Sequence, residues 1–175
     1  MTEDKLIHRI RCGDMDGLEP LIELYYDDVY RFICFKTGNP EAAWDLTQET
    51  FLKVIRYFGS YAGRGRFKGY VFSIAVNVCH DFYRENWIDN QKQVYMDDEM
   101  MADLSGGLDE TGDVDNHMAV AAMLKVLPDY QREPIIYRYI LGYKIHEIAA
   151  ITGEKIPTVK SRIRQGLKRL RKEAE

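Results

Sequence analysis

The chain has 175 residues, with 24 lysines and arginines against 28 aspartates and glutamates and a formal net charge of −4. At 46% hydrophobic and 30% charged it can bury a core, which excludes disorder throughout. No apolar run approaches the roughly 20 residues of a membrane span, and no secretory leader pattern opens the chain.

The three cysteines, Cys12, Cys34 and Cys79, are scattered and lack metal-ligand spacing. Reduced thiols in a cytoplasmic protein are the expectation. From Leu18 to Phe35 the apolar residues Leu18, Leu21, Ile22, Tyr25, Val29, Phe32 and Ile33 follow helical spacing, and Gly38 and Pro40 end that helix. A second helix starts after Asn39-Pro40 and turns Ala43, Leu46, Phe51, Val54, Ile55 and Phe58 inward. A glycine-rich basic loop follows, from Gly59 to Arg66. A third helix, from about Phe67 to Trp87, buries Val71, Ile74, Ala75, Val78 and Phe82.

The stretch from about Asp89 to Asp115 is rich in Asp and Glu, carries Lys92 as its one cation and has Gly106-Gly107 in its middle. It cannot bury enough apolar surface to offset its ordering entropy and reads as a flexible acidic linker. A second helical block runs from about Asn116 to the end. Its last helix has no acid between Lys155 and Lys172, while Val159, Ile163, Leu167 and Leu170 form an apolar stripe. Before it, Glu147 to Ala150 leads into the Thr152-Gly153 turn, and Pro157 and Thr158 open the helix. A short helix, a glycine turn and a basic helix outline a helix-turn-helix, and DNA is the polyanion it fits. A local basic surface serves that purpose even in an acidic chain.

The fold class expected is all-α, with two small helical domains joined by the acidic linker and a C-terminal helix-turn-helix. The boundaries are 1–88, 89–115 and 116–175. No phosphate loop, nucleophile elbow or paired-carboxylate arrangement stands out, so no catalytic residue, cofactor, metal site or small-molecule substrate is expected. His80 and Asp81 are neighbours in sequence and point apart on a helix, and His146 and Glu147 make no metal site.

Three segments, in order, resemble the extracytoplasmic-function sigma factors of bacterial RNA polymerase. DLTQETFLKV from Asp45 looks like the family's polymerase-binding helix. RFKGYVFSIAVNVCHDFYR from Arg66 resembles its promoter-melting and −10-reading segment. The run from Leu127 to Arg171 looks like its −35-reading domain. The resemblance implies a dissociable promoter-specificity subunit that is not an enzyme. Its partners would be core RNA polymerase, through the coiled coil of the largest subunit, promoter DNA and a cognate anti-sigma factor, often membrane-anchored.

The residues fit those roles on their own terms. Asp45, Gln48, Glu49 and Leu52 lie outside the second helix's inner face, a polar-acidic surface with an exposed leucine suited to a basic, partly apolar helix. Tyr61, Arg64, Arg66, Phe67, Lys68 and Tyr70 interleave cations and aromatics as single-stranded DNA requires. Asn77 matches the family's base-pocket position, and Tyr70 stands where tryptophan is usual. On the last helix Thr158, Lys160, Ser161, Arg164, Gln165 and Lys168 face outward. Lys160, Ser161, Arg164 and Gln165 are expected at base edges, and Arg138, Thr158 and Lys168 at phosphates. Gln165 stands where many relatives are basic and favours adenine. Arg162, at the margin of the packed face, serves an internal ion pair or a phosphate.

The competing readings are a stand-alone helix-turn-helix regulator and a small helical enzyme. The run from Asp45 and the aromatic-basic loop weigh against the first, and the lack of a convergent catalytic set against the second. The dense acids of the linker, tethered near a basic helix, raise the further expectation that the free chain masks its own DNA-binding surface.

Overall fold

The computed structural model describes residues 2–61, 67–92 and 114–174. Among them every regular element is helical. A short amphipathic helix that the sequence reading passed over, α1 (Glu3–Arg11), buries Leu6, Ile7 and Ile10. The next three are α2 (Leu18–Thr37), α3 (Pro40–Arg56) and α4 (Phe67–Lys92), which runs past the expected end at Trp87.

The α2–α3 corner shows why the chain turns there. Gly38 adopts φ 64°, in the left-handed region, and donates its N–H to the Cys34 carbonyl at 2.7 Å. Asn39 then caps α3 by accepting from the Ala42 N–H at 3.0 Å, with Pro40 in the first turn. Within α3, Thr47 and Thr50 are buried, and each hydroxyl donates to the carbonyl four residues back at 2.7 Å. Their polar groups therefore enter the core without an unmet hydrogen bond.

The C-terminal block holds α5 (Val114–Leu124), α6 (Asp129–Ile135), α7 (Ile145–Thr152) and α8 (Ile156–Glu173). Proline at 134 has no N–H for the helical ladder, and α6 widens after it into one π-helical turn at Ile136–Ile140. Gly153, at φ 71°, makes the turn into α8, whose Val159 and Ile163 are buried as the apolar stripe requires.

The two blocks pack on each other. The Tyr137 ring stacks on Phe32 at 4.9 Å and meets the edge of Phe72 at 5.2 Å. Tyr143 donates its hydroxyl proton to Asp28, and Arg31 donates to the Ile140 carbonyl at 2.8 Å. At the centre of the contact Lys36 is 0% exposed, its ammonium 2.6 Å from Glu133 and 3.4 Å from Asp129. Arg132 reinforces the seam, donating to the carbonyls of Lys36, Leu124 and Leu127. Every residue from Phe32 to Thr37 is buried, because α3 and α4 cover one side of α2 and the C-terminal block the other.

Three expectations for the core need correction. Ile55, placed on the inner face of α3, is exposed, because the helix turns Val54 inward instead. Ile74 and Phe82 are only half-buried, since Val71, Phe72, Ala75 and Val78 take the inner positions on α4.

Candidate nucleic-acid interface

Three surfaces collect the residues singled out from the sequence. On α3, Asp45, Gln48, Glu49 and Leu52 all face solvent. Leu52 is 64% exposed, and Trp44, about two turns earlier on the helix, is 53% exposed. With Ile55 these form an apolar stripe flanked by Asp45 and Glu49. Sequence reading missed Trp44 and Ile55, although a helical wheel places both on the side of Gln48 and Leu52. Glu49 pairs with Lys53 at 2.9 Å, which holds its carboxylate along the helix.

The second surface lies at the start of α4. Tyr61, Phe67 and Tyr70 form one aromatic cluster, with the Tyr61 ring 5.2 Å from Tyr70 and 5.3 Å from Phe67. Phe67 is only 2% exposed, locked among Tyr25, Phe58, Tyr61 and Tyr70. It serves the core and offers no face to a base, contrary to its expected place at the DNA. Tyr61 and Tyr70 stay half-buried at the rim, and the guanidinium of Arg11 sits over the Tyr61 ring at 5.6 Å. Arg64 and Arg66 lie outside the described residues, as do residues 93–113 of the acidic linker.

Further along α4, Ser73, Asn77 and His80 face a cleft of ≈ 390 Å³ whose opposite wall belongs to the C-terminal block. Asp129, Glu133 and Glu154 lie on that wall, so carboxylates stand opposite the face that carries Asn77. Lys68 of α4 spans the gap at another point, 3.9 Å from Glu147 and 4.2 Å from the Tyr143 ring centre. Gly69 permits the approach, since a Cβ there would sit 3.3 Å from the Ala150 carbonyl oxygen.

His80, Asp129 and Glu133 bring donor atoms within 4.8 Å of one another, a trio no local sequence pattern reveals. The Lys36 ammonium already neutralises both carboxylates, so the cluster is an ion-pair network with His80 at its edge, 3.2 Å from Asp129. Burial alone would raise the Asp129 carboxyl, but attraction to Lys36 and Arg132 outweighs it and leaves the group below its ordinary value. Burial pushes the Cys79 thiol up to about 12, which leaves it without thiolate reactivity.

The third surface is α8. Lys160, Arg164, Gln165 and Lys168 are exposed along one side, with Thr158 and Ser161 half-buried beside them. Arg162 resolves as an internal pair, 2.9 Å from Glu154 and over the Tyr130 ring at 5.8 Å. Arg138 is exposed and holds the Tyr143 carbonyl at 3.1 Å.

A helical block with an acidic-apolar helix face, joined to a helix-turn-helix block with an open cationic helix, defines a DNA-binding protein with a second, protein-facing surface. Comparison with known proteins sharpens that class. The Sigma-70 region 2 profile matches residues 21–88 and the Sigma-70 region 4 profile residues 117–170. RNA polymerase sigma factor SigV of Bacillus subtilis is 34% identical, over 82% of this chain and 82% of that protein. The ECF sigma factor SigW of the same organism is 27% identical over 99% of this chain and 97% of its own length. In fold the chain is similar to CnrH, solved in complex with the cytosolic domain of CnrY (TM-score 0.71, 20% identity, 98% and 96% of the two chains). It is also similar to RpoE of Bartonella quintana, solved with the anti-sigma factor NepR (TM-score 0.66, 24% identity, 88% and 94% covered). The chain belongs to the extracytoplasmic-function sigma factors, and its function is to direct RNA polymerase to specific promoters.

Proposed function

We propose that the three surfaces divide the work of promoter recognition. The α3 face of Trp44, Asp45, Gln48, Glu49, Leu52 and Ile55 takes the coiled coil of the polymerase's largest subunit. An apolar stripe buried at the centre of such a contact supplies affinity, and the flanking carboxylates supply register and specificity. Tyr61, Lys68, Tyr70 and Asn77, together with Arg64 and Arg66, grip the non-template −10 strand. Asn77 has both an amide donor and an acceptor for a captured base. Arg138, Thr158, Lys160, Ser161, Arg164, Gln165 and Lys168 take the −35 duplex, with α8 in the major groove.

The protein does no covalent chemistry in this scheme. A captured base stabilises the melted promoter over the duplex, and that difference in binding drives opening. The working units are residues 1–88 and 116–175, with 89–115 between them, acting in the cytoplasm. An anti-sigma partner, as NepR is for RpoE of Bartonella quintana, is expected here too.

The observation that carries the reading is the open cationic side of α8, in a chain whose other end presents an acidic-apolar helix. A stand-alone regulator would have no use for the second feature. The test is binding of purified core polymerase. Replacing Asp45, Gln48 and Glu49 together by Ala is expected to abolish association while circular dichroism stays unchanged, since all three are exposed. Wild-type affinity in that variant removes α3 from the interface.

A further inference from the structure

α8 and α6 cross at Gly166. A Cβ there would lie 2.5 Å from Ile135 Cδ1 and 3.4 Å from Gln131 Cβ, so any larger residue would have to push the Ile135 side chain aside. The crossing sets Gln131, 6% exposed, beneath the outward residue Gln165. Gln131 Nε2 lies 3.4 Å from Gln165 Oε1 and 3.3 Å from the Tyr130 hydroxyl. Gln165 Nε2 in turn donates to Ser161 Oγ at 3.1 Å, one helical turn back.

The direction of this chain of amides follows from what a buried amide tolerates. With Nε2 of Gln131 toward Gln165, both of its N–H groups have acceptors and its Oε1 alone is without a partner. The opposite orientation would satisfy the oxygen and strand two buried N–H groups. Orphaned donors are rarer in proteins than under-satisfied carbonyl oxygens, so the first orientation holds.

We propose that Gln131 is a positioning residue that sets the base preference of Gln165. By engaging Gln165 Oε1 from within the domain, it turns the carbonyl inward and leaves an Nε2 proton as the group that meets the major groove. The inference rests on the reading of α8 as the −35 helix. Adenine is normally read by glutamine through both amide groups, N–H to N7 and carbonyl to the N6 amine. With the carbonyl turned inward to Gln131, that two-group pairing is weakened. A base whose edge offers acceptors alone is preferred, guanine with N7 and O6 before thymine with O4. The preference is opposite to the one glutamine's side chain alone leads one to expect at this position.

The test reconstitutes full-length protein with core polymerase and selects from promoters randomised across the −35 element. Four forms are compared: wild type, Gln165→Ala, Gln131→Leu and Gln131→Met. Wild type is expected to enrich guanine or thymine over adenine in the column that Gln165→Ala flattens. The Leu and Met variants keep the volume but remove the donor, freeing the Gln165 amide to turn. They should raise adenine relative to guanine in that column by about fivefold, the worth of one hydrogen bond. The other columns and the affinity for polymerase should stay unchanged. Loss of packing alone would weaken all columns together. Enrichment of adenine by wild type, no column responding to Gln165→Ala, or no shift in the Gln131 variants overturns the proposal. The wild-type result decides even if both variants fail to fold. Failure of the wild-type holoenzyme to enrich any −35 sequence overturns the reading of α8 itself, a distinct outcome.

Discussion

The two surfaces proposed to meet DNA are presented differently in this chain. On α8 the cations stand free, and a duplex could approach Lys160, Arg164 and Lys168 directly. On α4 the face of Ser73, Asn77 and His80 looks across a cleft at Asp129, Glu133 and Glu154 of the other block. Those carboxylates are already paired, Asp129 and Glu133 with Lys36 and Glu154 with Arg162, so a nucleic-acid strand entering the cleft has to compete with existing ion pairs. The packed arrangement leaves the proposed duplex contact open and sets the proposed single-strand contact inside a walled cleft. Parting of the blocks would open the cleft on which Asn77 lies.

The strongest way to break the contrast is at Lys36. A buried ion pair that loses one partner leaves an uncompensated charge, typically at a cost of about 3–5 kcal/mol, while replacing both partners by apolar residues is often neutral. Glu133→Leu leaves Lys36 with the more distant, half-exposed Asp129 alone, so it is expected to favour opening by up to about 3 kcal/mol, with the chain escaping the cost by exposing Lys36. Small-angle scattering should report a larger radius, and binding of a −10 single strand by the free protein should tighten. The double change Lys36→Met with Glu133→Leu should restore the compact form. A compact Glu133→Leu variant would show that the aromatic stacking of Phe32 and Tyr137 holds the blocks together without the charge.

Next in size is the α3 face, which sharpens the comparison by adding a surface that packing leaves open. Exposed aromatic and aliphatic anchors at the centre of an interface carry about 2 kcal/mol or more each. Trp44→Ala and Leu52→Ala should each weaken core polymerase binding by about thirtyfold, with both DNA contacts intact. Titration of labelled core enzyme measures this, and equal affinity would move the interface elsewhere on the chain.

A smaller effect is expected at Asn77. Loss of one base-edge contact is worth about 1–2 kcal/mol, so Asn77→Ala should reduce −10 strand capture by about tenfold. Permanganate reactivity of the melted segment reads the loss. Binding to a −35 duplex should not change, and a parallel loss there would contradict the division between α4 and α8.

The helices were legible in the sequence because their signals are local. Gly38 with Pro40 and Gly153 with Pro157 punctuate the chain, and the stripe from Val159 to Leu167 states its own period. The outward residues of α3 and α8 followed from the same periodicity. α1 escaped notice because one short amphipathic turn pattern carries little weight alone. The packing of the blocks was not legible, since it depends on pairs such as Phe32–Tyr137 and Asp28–Tyr143, far apart in the chain. Lys36 carries no signal of its role in the sequence. A lysine in the last turn of a helix ordinarily serves the helix dipole and solvent, and here a second block closes over it. Phe67 misled, as its neighbours in sequence are DNA-binding types while its ring belongs to the core. The expected masking of α8 by the acidic linker concerns residues outside those described, and carboxylates from α6 and the α7–α8 turn face α4 instead.

The smallest expected effect concerns acid. Asp129 sits at the seam between the blocks, with Lys36 at 3.4 Å, Arg132 at 3.7 Å and His80 at 3.2 Å. Burial raises its carboxyl and the two permanent cations lower it by more, so its value in the packed state is depressed. A depressed acid contributes its full stabilisation above its unpacked value, about 3.9, and loses it as pH falls through the packed value. Solvent reaches much of the group, so the contribution is modest. Asp129→Asn should melt slightly below wild type from neutral pH down to about pH 5, and the gap should close as pH falls below about 4. A gap that persists in acid would mean that Asp129 acts through packing or neutral hydrogen bonding. The charge holding the blocks together would then lie in the Lys36–Glu133 pair alone.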